Sequence, residues 1–238
     1  MNAIVSYVNL LHANGLYAEV SLMWAAPGTQ QALGHPLILD QDHAAAALQA
    51  IANAFKGDPN TIIGLQSEPH AISWACWLNG GSSCSVGYAA LGMQAALNAV
   101  RGTGAQNVVT ASGIDYANTL DQWLQNKPAD PLAQLMAEAH VYGGNGCAST
   151  SCFNTNYAPV LAQVPMIFGE TGETYDDSSC GSTNISTFMN WADAHGVGYE
   201  AWVWDTWGTC GSLINNYNGT PANTYSQWVH DHYLATFP

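Results

Sequence analysis

Short apolar segments typical of buried strands alternate along this chain with segments of helical periodicity, and this alternation restricts the fold more than any other feature. Successive strands are separated by roughly 30–45 residues, a spacing that suits a helical crossover between parallel strands. Six strands are predicted, over residues 16–24, 62–66, 108–113, 135–142, 165–169 and 198–204. The pattern therefore indicates an α/β fold built on a parallel sheet.

Helices are predicted between and around these strands, over residues 2–14, 41–56, 86–101, 117–125, 155–162, 183–195 and 222–234. Since no linker or change in composition divides the chain, residues 1–238 are predicted to form a single β/α-barrel domain. A complete TIM barrel has eight strand–helix units, so we predict a barrel of the TIM type trimmed to about six units. The open edge of such a sheet has to be covered, and a homodimer is the first candidate for covering it.

The charge of the chain is strongly acidic, with 3 lysines and arginines against 17 aspartates and glutamates and a formal net charge of −14. Nucleic acids and anionic membranes would be repelled, so neither is expected as a partner. No apolar run reaches the ~18 residues that a membrane-spanning helix needs. A neutral or cationic substrate is therefore favoured.

Six cysteines form three pairs that are close in sequence: Cys76 with Cys84, Cys147 with Cys152, and Cys180 with Cys210. Fifteen connectivities are formally possible, and these local pairs are the simplest because they close loops or join two successive loops. Three disulfides indicate an oxidising compartment and hence secretion, whereas six buried thiols of a cytosolic protein are the alternative. Since no C-x2-C pair, phosphate-binding loop or dinucleotide motif occurs, neither a metal nor a cofactor is predicted.

Two of the predicted strands are followed within two residues by a glutamate. Glu68 is followed by Pro69, which lacks a backbone N–H and ends the ladder, while Glu170 is flanked by glycines that allow a ligand to approach closely. Ion pairing explains these glutamates poorly because the chain has only three cations, Lys56, Arg101 and Lys127. Two glutamates at the ends of parallel strands would face one cleft, which is the arrangement that glycoside hydrolysis requires.

Together these motifs resemble glycoside hydrolase family 5, the cellulase-like branch of the retaining (β/α)8 glycosidases. The likeness covers nearly the whole chain, from the third barrel strand of the family to its eighth. It implies that Glu68, in Ser67-Glu68-Pro69, is the acid/base and that Glu170, after Gly169, is the nucleophile. Retaining chemistry places two such carboxyl groups ~5–5.5 Å apart.

The same resemblance assigns roles to residues on other strands. His140-Val141-Tyr142 is similar to the family motif whose tyrosine steadies the nucleophile, and the first tryptophan of Ala201-Trp202-Val203-Trp204 is similar to the floor of the sugar subsite beside the cleaved bond. Trp24 begins a turn similar to the family's loop after strand three. On composition alone, His140 could instead be a packing residue, and Trp24, Trp202 and Trp204 could be core residues.

The resemblance implies a secreted, retaining endo-β-glycanase that hydrolyses β-linked glucan by double displacement, with a polysaccharide or oligosaccharide as its partner. Two positions differ from the family: Ser67 stands where an asparagine contacts the sugar, and Met23 where a histidine ends strand three. Each lost contact to the transition state could reduce the rate by ~10²–10³. The alternative is therefore a catalytically impaired, carbohydrate-binding relic of the same fold.

Overall fold

The computed structural model describes residues 1–81 and 84–237. The helices are α1 Asn2–Ala13, α2 Ala44–Phe55, α3 Trp74–Asn79, α4 Met93–Arg101, α5 Thr150–Cys152, α6 Ala158–Leu161, α7 Thr183–His195 and α8 Thr224–Thr236, and a π-helical turn, Phe153–Tyr157, joins α5 to α6. The strands are β1 Ala18–Ser21, β2 Thr61–Gly64, β3 Gly80–Gly81, β4 Ala90–Leu91, β5 Val109–Ser112, β6 Leu135–Gly143, β7 Met166–Thr174 and β8 Gly198–Ala201. The chain divides into two compact units, Met1–Glu138 and Ala139–Pro238.

The first unit contains the parallel strands β1, β2, β5 and the start of β6, hydrogen-bonded in that order. All four residues of β5 are buried, as expected of a central parallel strand with both faces covered. Helices α2 and α4 each bury one apolar face, which consists of Leu48, Ile51 and Phe55 on α2 and of Met93, Leu97 and Val100 on α4. In this unit the apolar faces of the helices and the buried strand are therefore those expected from the sequence pattern.

The second unit contains the remainder of β6, followed by β7 and β8 in that order, and β7 pairs with β8 in parallel. Helix α7 buries Ile185, Phe188 and Met189. Phe188 packs edge-on against the ring of Phe153, in an aromatic cluster that also contains Tyr157, Phe168 and Trp191. Burial raises the pKa of the Tyr157 phenol well above its ordinary value, so this core residue stays neutral.

The short helix predicted over residues 117–125 is wrong. Asp115, Tyr116 and Ala117 have φ angles of 55°, 58° and 60°, in the left-handed region that a right-handed helix cannot include. Residues 113–119 instead form isolated bridges, and turns follow them. The sequence signal failed here because three consecutive left-handed residues without glycine are rare.

Several other elements are shorter than predicted. The helix predicted from residue 86 begins at Met93, because Ala90–Leu91, inside the predicted range, form β4, which pairs with β3. The first strand is confined to β1, and the last strand ends at Ala201. The Trp202–Val203 peptide bond that follows is cis. None of the helices in the described part of the chain combines the length and hydropathy needed to cross a bilayer.

One of the three cations is used to hold the first unit together. The guanidinium of Arg101 donates to both carboxylate oxygens of Asp130 at 2.8 Å, and Arg101 also donates to the carbonyls of Ala105 and Asn107. Burial alone would raise the pKa of Asp130, but the hydrogen bonds from Arg101 and from backbone amides outweigh it and hold that pKa below its usual value. Asp130 therefore stays ionised as a structural residue.

Candidate active site

Glu68 lies just beyond β2 in a strained backbone conformation. Its φ is 57°, in the left-handed region, where a residue with a side chain costs roughly 1–2 kcal/mol. Hydrogen bonds on both sides fix this turn: the amide of Ser67 donates to the carbonyl of Leu22 at 3.1 Å, and the ring Nδ1 of His70 lies 2.9 Å from the carbonyl oxygen of Glu68. Strain that the surroundings maintain in this way is concentrated at functional sites.

The carboxyl group of Glu68 has a partner that the sequence did not reveal. Nδ1 of His35, in the loop between β1 and α2, lies 2.9 Å from Oε2 of Glu68. The two side chains are 29% and 15% exposed, so the contact is half-buried and accessible to a ligand. No motif or spacing connects a histidine in this loop with the end of β2, which is why sequence analysis missed it.

Glu170 projects from an irregular part of β7. In the pairing of β7 with β8, Phe168 faces Tyr199 and Thr171 faces Ala201, so the chain advances three residues on β7 but two on β8. The extra residue is a β-bulge at Gly169–Glu170, a device that re-aims a side chain. It places the carboxylate where only 14% of the side chain is exposed.

Two residues of β6 contact the carboxylate of Glu170. The hydroxyl of Tyr142 donates a hydrogen bond to Oε2 at 2.8 Å, and Nδ1 of His140 lies 3.5 Å from the same oxygen. The two residues are two positions apart, so they share one face of the strand. The structure therefore brings together Glu170, His140 and Tyr142, as the sequence motifs suggested.

The ring of Tyr142 lies directly over Gly172. A Cβ added at Gly172 would approach the Cε1 and Cδ1 atoms of Tyr142 to 2.7 and 2.9 Å, closer than carbon atoms tolerate. Only glycine at this position allows the Tyr142 ring to reach Glu170. Gly172 thus belongs to the site although it carries no functional group.

We expect Gly172→Ala to lower kcat while leaving the fold intact. The new methyl group would displace the Tyr142 ring and lengthen its hydrogen bond to Glu170, and a misplacement of about 1 Å can cost ~10²-fold in rate. The measurement is kcat on a soluble β-glucan, the substrate class that the family resemblance implies, together with the thermal midpoint. Adding Tyr142→Phe to the variant should change little further, because the hydrogen bond is already lost; an equal second loss would contradict this explanation.

The tryptophans divide into core and accessible residues. Trp77 is fully buried, and its indole donates to the carbonyl of Ser112, so it is a core residue. Trp24 and Trp204 are 50% and 56% exposed. Trp202 is half-buried and lines a small cavity together with Tyr142, Gly172 and Cys210.

Tyr225 secures the backbone beside this cavity. Its hydroxyl donates to the carbonyl of Trp202 at 2.7 Å. Burial, with Tyr233, Glu173 and Asp177 adding to it electrostatically, raises the pKa of Tyr225 far above its ordinary value, so the phenol remains a donor. This hydrogen bond therefore anchors the backbone of Trp202.

The two positions that differ from the family have weak polar character in the structure. The Oγ atom of Ser67 is buried and has no hydrogen-bond partner among the described residues. Met23, which is half-buried, offers only a thioether. Neither residue supplies the polar contact that the family has at its position, and this favours the relic interpretation.

Other buried carboxylates near the strand ends have structural roles. Oε2 of Glu173 accepts hydrogen bonds from the amides of Asn184 and Ile185, in the first turn of α7, at 2.9 and 3.0 Å. Asp205 accepts a hydrogen bond from the hydroxyl of Ser212 at 2.7 Å. Glu173 therefore caps the N-terminus of α7, where the helix dipole also stabilises a negative charge.

The cysteines are joined as the local pairing predicted, in the bonds Cys76–Cys84, Cys147–Cys152 and Cys180–Cys210. The third bond connects the loop after β7 with the loop after β8. Those two loops follow Glu170 and Trp202 in the chain. The disulfide therefore restrains the segments that follow the candidate site residues Glu170 and Trp202.

The sequence profile of cellulases, glycosyl hydrolase family 5, matches residues 1–208 of this chain. The chain therefore belongs to glycosyl hydrolase family 5, as its motifs predicted. One curated relative is endoglucanase 1 of Saitozyma flava, which is 25% identical over 205 residues, or 77% of this chain and 55% of that protein. The chain thus spans about half the length of this relative.

Solved structures share the fold. The catalytic domain of the endoglucanase Cel5A from Thermobifida fusca superposes with a TM-score of 0.68 at 16% identity, over 98% of this chain and 74% of that chain. The β-glucanase SdGluc5_26A from Saccharophagus degradans superposes with a TM-score of 0.67 at 16% identity, over 95% and 71%. The predicted fold class, a TIM-type β/α barrel trimmed to about six units, is confirmed.

Proposed function

We propose that this protein is a secreted, retaining endo-β-glycanase that hydrolyses β-linked glucan, with Glu170 as nucleophile and Glu68 as acid/base. The observation that carries the proposal is the hydrogen bond of 2.8 Å from Tyr142 to Glu170, at the bulge of β7. A donor at this distance orients a carboxylate and stabilises its ionised, nucleophilic form. Membership of a cellulase family supports the same assignment.

The reaction has two displacements. In the first, a carboxylate oxygen of Glu170 forms a bond to the anomeric carbon, the bond to the leaving oxygen breaks, and the proton of Glu68 moves to that oxygen. In the second, Glu68 takes a proton from water, the water oxygen bonds to the anomeric carbon, and the ester to Glu170 breaks. The anomeric configuration is retained, and both glutamates return to their initial protonation states.

The relatives and the accessible aromatic residues support the proposed substrate class. The Thermobifida fusca endoglucanase was solved with cellotetraose and the related XacCel5A with cellopentaose, so those proteins hold β-linked glucose chains. In this chain Trp24, Trp202 and Trp204 offer indole faces of the kind that stack on sugar rings. The net charge of −14 favours a neutral polymer over an anionic one.

Secretion and self-association are part of the proposal. The three disulfides support an oxidising, extracellular environment. We propose a homodimer that covers edge strand β1, because Leu10, Leu16 and Tyr17 beside it are 57%, 54% and 70% exposed. A single-chain mass by light scattering at micromolar concentration would contradict the dimer.

A second candidate is a carbohydrate-binding relic, which the unpartnered Oγ of Ser67 and the thioether of Met23 favour. Both replace polar groups that strengthen contacts to the transition state in the family. The relic would keep the accessible tryptophans and bind glucan without cleaving it.

The test is release of reducing ends from neutral, soluble β-glucans with β-1,4, β-1,3 and mixed linkages, measured together with viscosity. An endo-acting hydrolase lowers the viscosity well before many reducing ends appear. The control is the double variant Glu68→Gln and Glu170→Gln, which keeps the shape of both side chains. Glucan that retards the protein in a native gel without any release would favour the relic and reject the hydrolase.

A further inference from the structure

The chain places a histidine against the carboxyl group that is proposed to donate and accept the proton. Nδ1 of His35 lies 2.9 Å from Oε2 of Glu68, within hydrogen-bond distance. A carboxylic acid carries one transferable proton, on one of its two oxygens. A donor fixed at Oε2 makes that oxygen an acceptor and leaves the proton to Oε1.

The loop that carries His35 is attached on both sides of Glu68. The side chain of Gln66 donates to the carbonyl of Pro36 at 3.3 Å and accepts from the amide of Leu39 at 3.1 Å. The amide of His70 donates to the carbonyl of Leu37 at 3.0 Å. Because the residues two before and two after Glu68 hold this loop, the contact with His35 is built into the turn.

Two of the three cations of the first unit, Arg101 and Lys56, are engaged elsewhere. Arg101 is paired with Asp130, and the ammonium group of Lys56 donates to Asn53 and to the carbonyl of Thr103. A histidine suits the acid/base better than a permanently charged lysine or arginine would. It can hold the carboxyl group in place without forcing it to remain ionised, and Glu68 has to carry a proton in the first displacement.

We propose that His35 is the positioning residue of the acid/base: its Nδ1–H donates to Oε2 of Glu68 and so assigns the transferable proton to Oε1. The inference rests on the proposed function and deepens it. His35 does not touch the reacting atoms in this scheme. It acts by orienting Glu68, and its effect is greatest when the leaving oxygen needs a proton.

The test compares two substrates that differ in whether the leaving group must be protonated. Phenyl β-cellobioside has a poor leaving group that requires protonation, whereas 2,4-dinitrophenyl β-cellobioside has a leaving group that departs as an anion. For His35→Ala we expect kcat/KM to fall ~10–100-fold on the phenyl substrate, the range seen for residues that orient a functional group, and to remain unchanged on the dinitrophenyl substrate. His35→Asn, which retains an N–H donor near the position of Nδ1, should recover most of the loss.

A matched control is His12→Gln, which removes a second histidine–carboxylate contact in the same unit, between His12 and Asp58 at 2.8 Å. It should leave kcat/KM unchanged on both substrates. Equal losses on the two substrates for His35→Ala, or no loss on either, would overturn the inference. If the unmodified protein cleaved neither substrate, the proposed function itself would fail and the inference would fall with it.

Discussion

Glu170→Ala should abolish the cleavage of soluble β-glucan, with kcat/KM falling by at least ~10⁴-fold, as happens when the nucleophile of other covalent hydrolases is removed. Without this carboxylate the glycosyl–enzyme ester cannot form. Tyr142 and His140 would then face a methyl group in place of the oxygen that they contact at 2.8 and 3.5 Å. The measurement is the rate of reducing-end release, with circular dichroism to confirm folding.

If a small anion restores turnover to Glu170→Ala, the lost activity can be assigned to the loss of a nucleophile. Azide can enter the space left by the Glu170 side chain and displace an activated leaving group directly. One displacement inverts the anomeric centre, so we expect an α-glycosyl azide by NMR. Glu200→Gln is the matched control because Glu200 is an exposed glutamate of the neighbouring strand β8, and it should retain full activity. Full activity of Glu170→Ala would require another nucleophile.

Glu68→Ala should have a different signature. On phenyl β-cellobioside, kcat/KM should fall by ~10²–10⁴, the usual contribution of general acid catalysis. On 2,4-dinitrophenyl β-cellobioside it should change little, because that leaving group needs no proton. The glycosyl–enzyme would then accumulate, since no base activates water for the second displacement.

The product formed with azide also distinguishes an acid/base role of Glu68 from a nucleophilic one. It should accelerate turnover of the dinitrophenyl substrate by Glu68→Ala and give a β-glycosyl azide, because two displacements retain the configuration. The control is Asp115→Asn, which alters an exposed carboxylate whose φ of 55° asparagine readily adopts. Equal losses on both substrates, or an α-azide from Glu68→Ala, would contradict the acid/base assignment.

The parts of the site that follow strand periodicity could be predicted from the sequence. His140 and Tyr142 are two residues apart on a buried strand, so their shared face was evident, and Glu170 ends an apolar run. His35 could not be predicted, because its position depends on how a loop without periodicity attaches to Gln66 and His70. Loop contacts of this kind are set by tertiary structure alone.

Composition also could not separate the tryptophans. Trp77 is fully buried while Trp204 is 56% exposed, although Trp77 follows one predicted strand and Trp204 ends another. The left-handed residues Asp115, Tyr116 and Ala117 likewise lack the glycine or asparagine that would have indicated them, so a helix was predicted where turns occur. In each case tertiary packing outweighed the local preference of the residues.

The bulge in β7 has a consequence for comparing and redesigning chains of this kind. Side chains of a regular strand alternate, so a residue can be moved along it without changing face only in even steps. Phe168 and Thr171 are an odd number of positions apart, yet they pair with Tyr199 and Ala201, which are an even number apart. An alignment that removes this one-residue difference with a gap would assign Glu170 to the wrong face of the strand. A graft that omits the extra residue would turn the Glu170 carboxylate to the opposite face. Glu170 and the extra residue of the bulge have to be transferred together.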